Sequence, residues 1–260
     1  MRRYRWVASV GLLVVLVAVP AARADLALPF TEIFNAETTG DDASELTWWA
    51  YEPSYGSAPA ADAVIVDVGG GDKVFDMNPG GTESMGVRSD RATFGPVLFW
   101  VEADMLLTSD GNGAGVIGFS QNTEALNGYV LAVSRDGTGG AWLDLRRFDG
   151  DLNDSFTVGP VHLTDLDPTE VHRYRLEADF GTAGQIDFAA RVDGQLQTDP
   201  NLAPVDTDPH DVSDGVRGVL AGNGGQQAYF DNVNLTPEPV TLVLLTLGAV
   251  GLVARRRVAA

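Results

Sequence analysis

Cysteine is absent from all 260 residues. That excludes disulfides, thiolate metal sites, iron–sulfur clusters and thiol nucleophiles together. Positive charge is scarce: 17 Lys and Arg stand against 36 Asp and Glu, a formal net charge of -19, and Lys73 is the single lysine. Such a chain lacks the cations that neutralise phosphates, so nucleic acid is excluded as a partner. Helical periodicity is missing from the central region, where no stretch keeps a 3.6-residue apolar pattern beyond about two turns. What the chain does contain is 30 glycines and 45% hydrophobic residues. That is enough apolar material for a core and excludes a wholly disordered chain. The length suits one all-β domain with small appendages.

The basic residues are concentrated at the ends. Met1 to Ala24 holds four arginines and no acid, an apolar run from Trp6 to Val19, and small residues at Ala22 and Ala24. This predicts a secretory signal peptide over 1–24, removed after Ala24 by signal peptidase; an uncleaved anchor is the alternative. At the other end, Pro237-Glu238-Pro239 precedes fifteen uncharged residues, Val240 to Ala254, and then Arg255-Arg256-Arg257. An upright span needs about 20 apolar residues. Snorkelling arginines extend this shorter run to a workable transmembrane helix, with its C-terminus on the cytoplasmic side.

The triplet, the short apolar helix and the terminal arginine cluster resemble the PEP-CTERM sorting signal. The resemblance covers 237–260 and rests on Pro237, Glu238, Pro239, Arg255, Arg256 and Arg257. It implies recognition in the inner membrane by an exosortase-type enzyme, removal of the tail, and a body left at the cell surface, outer envelope or extracellular matrix. A plain C-terminal membrane anchor is the alternative. The two ends take seven of the seventeen basic residues and one acid. Asp25 to Thr236 therefore carries ten basic and thirty-five acidic residues, a net charge of -25.

Residues 25–236 read as strands. Val64 to Val68 is a β-branched run closed by three glycines. Val97 to Leu107 alternates, with Phe99, Val101, Ala103 and Met105 on one face and Trp100, Glu102, Asp104 and Leu106 on the other. About a dozen such runs are separated by Gly-, Asn- and Asp-rich turns such as Asp193-Gly194, which predicts an antiparallel β-sandwich. Phe30 to Phe34 is expected to pair near the last strand. The runs Gly128 to Val133, Ala141 to Phe148, His172 to Asp179 and Tyr229 to Leu235 resemble the concanavalin A-like (laminin-G-like) jelly roll.

Some sandwiches of that group are glycoside hydrolases. Their family 16 members carry Glu-x-Asp-x-Glu on one strand face. Here Glu102-Ala103-Asp104 is followed by Leu106 where the third acid belongs, and Glu177-Ala178-Asp179 fails likewise, so no catalytic residues are assigned. His162, His172 and His210 lie beside Asp or Arg and read as surface histidines. The resemblance also implies a structural calcium between the chain ends, held by Glu32, Asp231 and Asn232. Trp48 and Trp49 are adjacent, so in a strand they face opposite sides and one is available for a polysaccharide ligand; the other aromatics read as core. The expected function is that of an exported, non-catalytic structural or adhesive protein. A carbohydrate-binding lectin-like module and an unusual glycoside hydrolase are the alternatives.

Overall fold

The computed structural model describes residues 30–32, 34–79, 83–90, 92, 98–108, 113–149 and 160–237. The predicted signal peptide and residues 238–260, with Glu238, Pro239 and the three terminal arginines, lie outside them. Among the described residues no helix is long and apolar enough to cross a membrane.

Two antiparallel sheets face each other. The strands in chain order are β1 (Phe30–Glu32), β2 (Trp49–Tyr51), β3 (Ala63–Gly69), β4 (Asp72–Met77), β5 (Met85–Ser89), β6 (Leu98–Leu107), β7 (Ala114–Gln121) and β8 (Asn127–Arg135). Then follow β9 (Ala141–Asp149), β10 (Val161–Leu163), β11 (His172–Asp179), β12 (Ile186–Val192), β13 (Gln195–Leu196), β14 (Val205–Asp206), β15 (Val216–Asn223) and β16 (Ala228–Pro237). The first sheet runs β13-β12-β11-β6-β16-β4-β3, with β1 added to β16 and β14 to β12; the second runs β10-β9-β8-β7-β15-β5-β2. As expected from the sequence, the first strand pairs with the last, Phe30 opposite Leu235 and Glu32 opposite Val233. The last strand runs on through Pro237, opposite Phe99, one residue past the boundary expected at Thr236.

Period-two burial explains the first sheet. In β12, Ile186, Phe188, Ala190 and Val192 face in, and the residues between them are half-exposed. Rings link the layers: Phe99 on β6 meets Phe119 on β7 edge-on at 5.5 Å, and Tyr129 on β8 meets Phe188 on β12 at 4.8 Å. The second sheet differs, because every residue of β7 is buried. Its inward residues join the main core. Its outward residues, with Val130, Phe148 and Val219, form a second apolar cluster under Tyr55.

The acid excess has a local use. The carboxylates of Asp42, Asp67, Asp136, Asp167, Asp179 and Asp211 each accept the backbone amide two residues on. These are Asx turns, in which an aspartate supplies the acceptor that a tight bend leaves its amide wanting. Six of the 36 acidic residues therefore serve to close turns.

Candidate functional site

The outer face of the first sheet carries a groove of about 540 Å³ over β4, β6 and β16. Its walls are apolar: Val68, Val74, Leu106, Val171 and the ring of Tyr229. Val68 and Val171 are 60% and 65% exposed, an apolar rim open to solvent. The floor is polar. Tyr229 and Asp231 share a face because they are two apart on β16, and the ladder sets them opposite Leu106 and Asp104.

Directly after Asp231 the register slips, and Asn232 takes a left-handed φ of 49°. The bulge turns the Asn232 amide between two acids. Its Nδ2 donates to Asp104 Oδ2 at 2.7 Å and to Asp231 Oδ2 at 3.3 Å, while its backbone N–H donates to Asp231 Oδ1 at 2.7 Å. Arg173 grips Asp104 in bidentate fashion, Nε to Oδ1 at 2.6 Å and Nη2 to Oδ2 at 2.8 Å. Burial pushes the Asp231 carboxyl above its ordinary pKa, and the charges of Asp104 and Asp72 push the same way.

That shift has a thermodynamic sign. A carboxyl with a raised pKa binds more protons folded than unfolded. Stability falls as pH rises from the unfolded value, about 3.9, through the folded one, and stays lower above it. Asp231→Asn keeps the Oδ1 acceptor and removes the charge. It is expected to raise the melting temperature at pH 7, with no gain near pH 3. A lower melting temperature at pH 7 would show that the charge itself holds the bulge.

The structure places the other predicted residues as follows. Asp231 and Asn232 meet at the groove, and Glu32 is placed by its backbone opposite Val233. Two of the three residues expected to hold calcium are thus brought together, and the Glu32 side chain lies outside the described structure. Asn232 offers its amide N–H to the two carboxylates, and among the described residues no three His, Asp or Glu side chains converge as a metal site. Trp49 is 2% exposed and belongs to the core, and Trp48 packs half-buried against it, so neither presents an open ring. Their adjacency does not fix which side is covered: Trp49 opens the edge strand β2 with its ring in the core, and Trp48, just before that strand, packs against the core from outside it.

Glu102 and Asp104 are not free acids. Glu102 is 6% exposed and bound to Arg175, Nη2 to Oε2 at 2.6 Å. Arg175 also lies 4.2 Å over the Trp100 ring. The two Glu-Ala-Asp phrases are neighbours across the β6–β11 ladder, with Asp104 opposite Arg173 and Glu102 opposite Arg175. The histidines all pair with aspartates: His162 with Asp136 at 2.7 Å, His172 with Asp193 at 2.8 Å and His210 with Asp149 at 2.8 Å. The surface reading fails for His210, whose side chain is 8% exposed and whose pKa burial lowers. The groove residue that sequence reasoning missed is Tyr229, although the alternation Tyr229-Phe230-Asp231 already set it beside Asp231.

No protein-family model matches the sequence, and no curated protein matches it. Among solved structures the chain is similar to the carbohydrate recognition domain of Emp46p in its potassium-bound form, with a TM-score of 0.52 and 14% identity over 80% of this chain and 96% of that one. The metal-free form of that domain gives the same values. It is equally similar to a structure from work on endo-acting O-glycanases of human gut microbiota members, at TM-score 0.52 and 14% identity, covering 80% of this chain and 98% of that one. At such identities the likeness establishes the fold, a jelly-roll sandwich, and the chemistry has to come from the site.

Proposed function

We propose that this chain is an exported, non-catalytic β-sandwich that binds a saccharide in the groove of β6 and β16. The observation that carries the reading is the convergence of Tyr229, Asp231, Asn232 and Asp104 in an apolar-walled cavity. An aromatic ring receives the C–H face of a sugar, and carboxylate oxygens and the Asn232 Oδ1 accept from its hydroxyls. A half-buried carboxylate kept at electrostatic cost marks a candidate site. Asp72, Asp104 and Asp231 around one groove suit a neutral glycan and disfavour an acidic one. Fold-level analogy to a carbohydrate recognition domain adds to this and is analogy only. The non-catalytic part is supported by Glu102 and Asp104, whose guanidinium partners leave no pair of free facing carboxyls there.

Delivery follows from the ends. Signal peptidase releases 1–24. The tail from Pro237, inserted as a membrane helix, hands the body to an exosortase-type enzyme, which leaves it at the surface, outer envelope or matrix. This reading does not require a calcium ion at Glu32, Asp231 and Asn232. A ligand-free adhesive scaffold is the second reading, favoured by the burial of Tyr55 and Phe148 on the outer face of the second sheet.

The test is isothermal titration of the full-length protein with neutral hexose oligomers and with polygalacturonate, before and after EGTA treatment. The neutral oligomers are expected to bind, the polyanion not, and EGTA to change nothing. Tyr229→Ala should remove one class of sites. Binding that survives Tyr229→Ala unaltered overturns the groove, and no binding by any neutral oligomer leaves the scaffold reading standing.

A further inference from the structure

The outer face of the second sheet is filled at one end and open at the other. Near the end of β9, Phe148 meets Tyr55 edge-on at 6.1 Å, and both rings are buried. At the start of the same strand, Trp142 is 36% exposed. It shares its face with Asp144 and Arg146, which follow at period two. Across the ladders, Trp142 lies between Ser134 on β8 and His162 on β10.

This indole is fixed from behind. The His162 imidazole stacks on it, centroids 4.2 Å apart and planes 20° from parallel. His162 Nε2 is 2.7 Å from Asp136 Oδ2. Asp136 is itself locked by the Thr138 N–H at 2.6 Å, the Thr138 hydroxyl at 2.7 Å and the Gly140 N–H at 2.8 Å. The bonds from Thr138 hold that carboxyl well below the usual range, so it stays an anion that accepts from the imidazole. An exposed ring held this way loses little rotamer freedom on binding. Beside it, the buried Asp144 carboxylate accepts from Arg146 Nε at 2.8 Å and so orients the guanidinium, whose half-exposed fork of donors lies on the same face as the ring.

We propose that Trp142, with Asp144 and Arg146, forms a second saccharide-binding platform for neutral hexopyranose chains. A flat ring matches the axial C–H face of a pyranose. The neighbouring charges already neutralise each other, so they select hydroxyls over ions. A single ring amid paired charges is far smaller than the roughly 800 Å² per partner that a stable protein interface takes. The platform lies on the opposite sheet from the groove and stands independently of it.

The experiment uses the full-length protein carrying Tyr229→Ala, which takes the ring out of the groove, titrated with cellohexaose, laminarihexaose and mannohexaose. Tryptophan fluorescence and calorimetry give the affinity. At least one oligomer is expected to bind. Adding Trp142→Ala should weaken it by about tenfold or more, the scale of one buried aromatic contact. Trp142→Phe retains a flat ring and should stay within about threefold. His162→Ala keeps Trp142 and should still weaken binding, because the ring is no longer pinned. Trp142 is exposed, so an unchanged melting temperature verifies the fold of the Ala variant. Binding by none of the three oligomers, or equal binding with and without Trp142, overturns the proposal.

Discussion

Asp206→Ala should lower the melting temperature by on the order of 10 °C, measured by calorimetry at neutral pH. Asp206 is 3% exposed and is the meeting point of three elements. The Tyr129 hydroxyl donates to its Oδ2 at 2.6 Å, Arg147 Nη1 lies 3.2 Å from the same oxygen, and the Asp208 amide donates to Oδ1 at 2.9 Å. Burial and the bond to Asp206 both raise the Tyr129 pKa, so the phenol stays protonated and donates. Truncating the carboxylate leaves a buried hydroxyl and a guanidinium short of partners. Removing one member of a buried pair costs about 3–5 kcal/mol. The Arg147 side chain is 24% exposed and keeps the Asp208 carbonyl, which places the loss at the low end. Each kcal/mol is worth about 2–4 °C for a domain of this size. Asp206→Asn retains an acceptor for Tyr129 and should cost less, and Tyr129→Phe about 1 kcal/mol. A loss below about 1 kcal/mol for Asp206→Ala would mean that water replaces the carboxylate.

Gly118→Ala should be as damaging by a steric route. Gly118 is central in β7, opposite Val130 and Val219. A Cβ there would lie 2.2 Å from the Tyr129 carbonyl oxygen and 2.7 Å from the Val130 Cα. Both are backbone atoms of the neighbouring strand, so no rotamer change relieves the clash. The ladder must part, at a cost of about 3 kcal/mol or more. The expected outcome is insoluble protein or a strongly lowered urea midpoint. Gly137→Ala serves as contrast: nothing lies within 4 Å of its Cβ, and only its φ of 78° is strained. It should cost much less. Equal effects at the two positions would refute close packing as the reason for Gly118.

The residues that could be read in advance are those whose information is local. Alternation in Ile186 to Val192 and the Asp193-Gly194 turn, both residues at positive φ, are written in adjacent positions. The jelly-roll resemblance of the closing run supplied β16 and its pairing with the first strand. What could not be read depends on which strands become neighbours. Asp104 and Arg173 are 69 residues apart, and only the β6–β11 register makes an ion pair of them. The same holds for the groove, whose acid, amide and ring share one strand but whose walls come from β3, β4 and β6. Trp142 is the opposite case. Its parity with Asp144 and Arg146 was visible, yet the size of the ring argued for the core. Continuous burial of β7 was illegible because its outer face is covered by Tyr55, a residue from a distant turn.

The course of β16 has a consequence for orientation. The strand meets the groove at Asp231 and leaves the sheet at Pro237, six residues on. At about 3.3 Å per residue that is roughly 20 Å of extended backbone. Any tether that continues from Pro237 therefore pulls on the end of the sandwich remote from the groove. A body held through that end stands with the groove lifted about the width of a small sheet above its attachment, turned to whatever lies beyond.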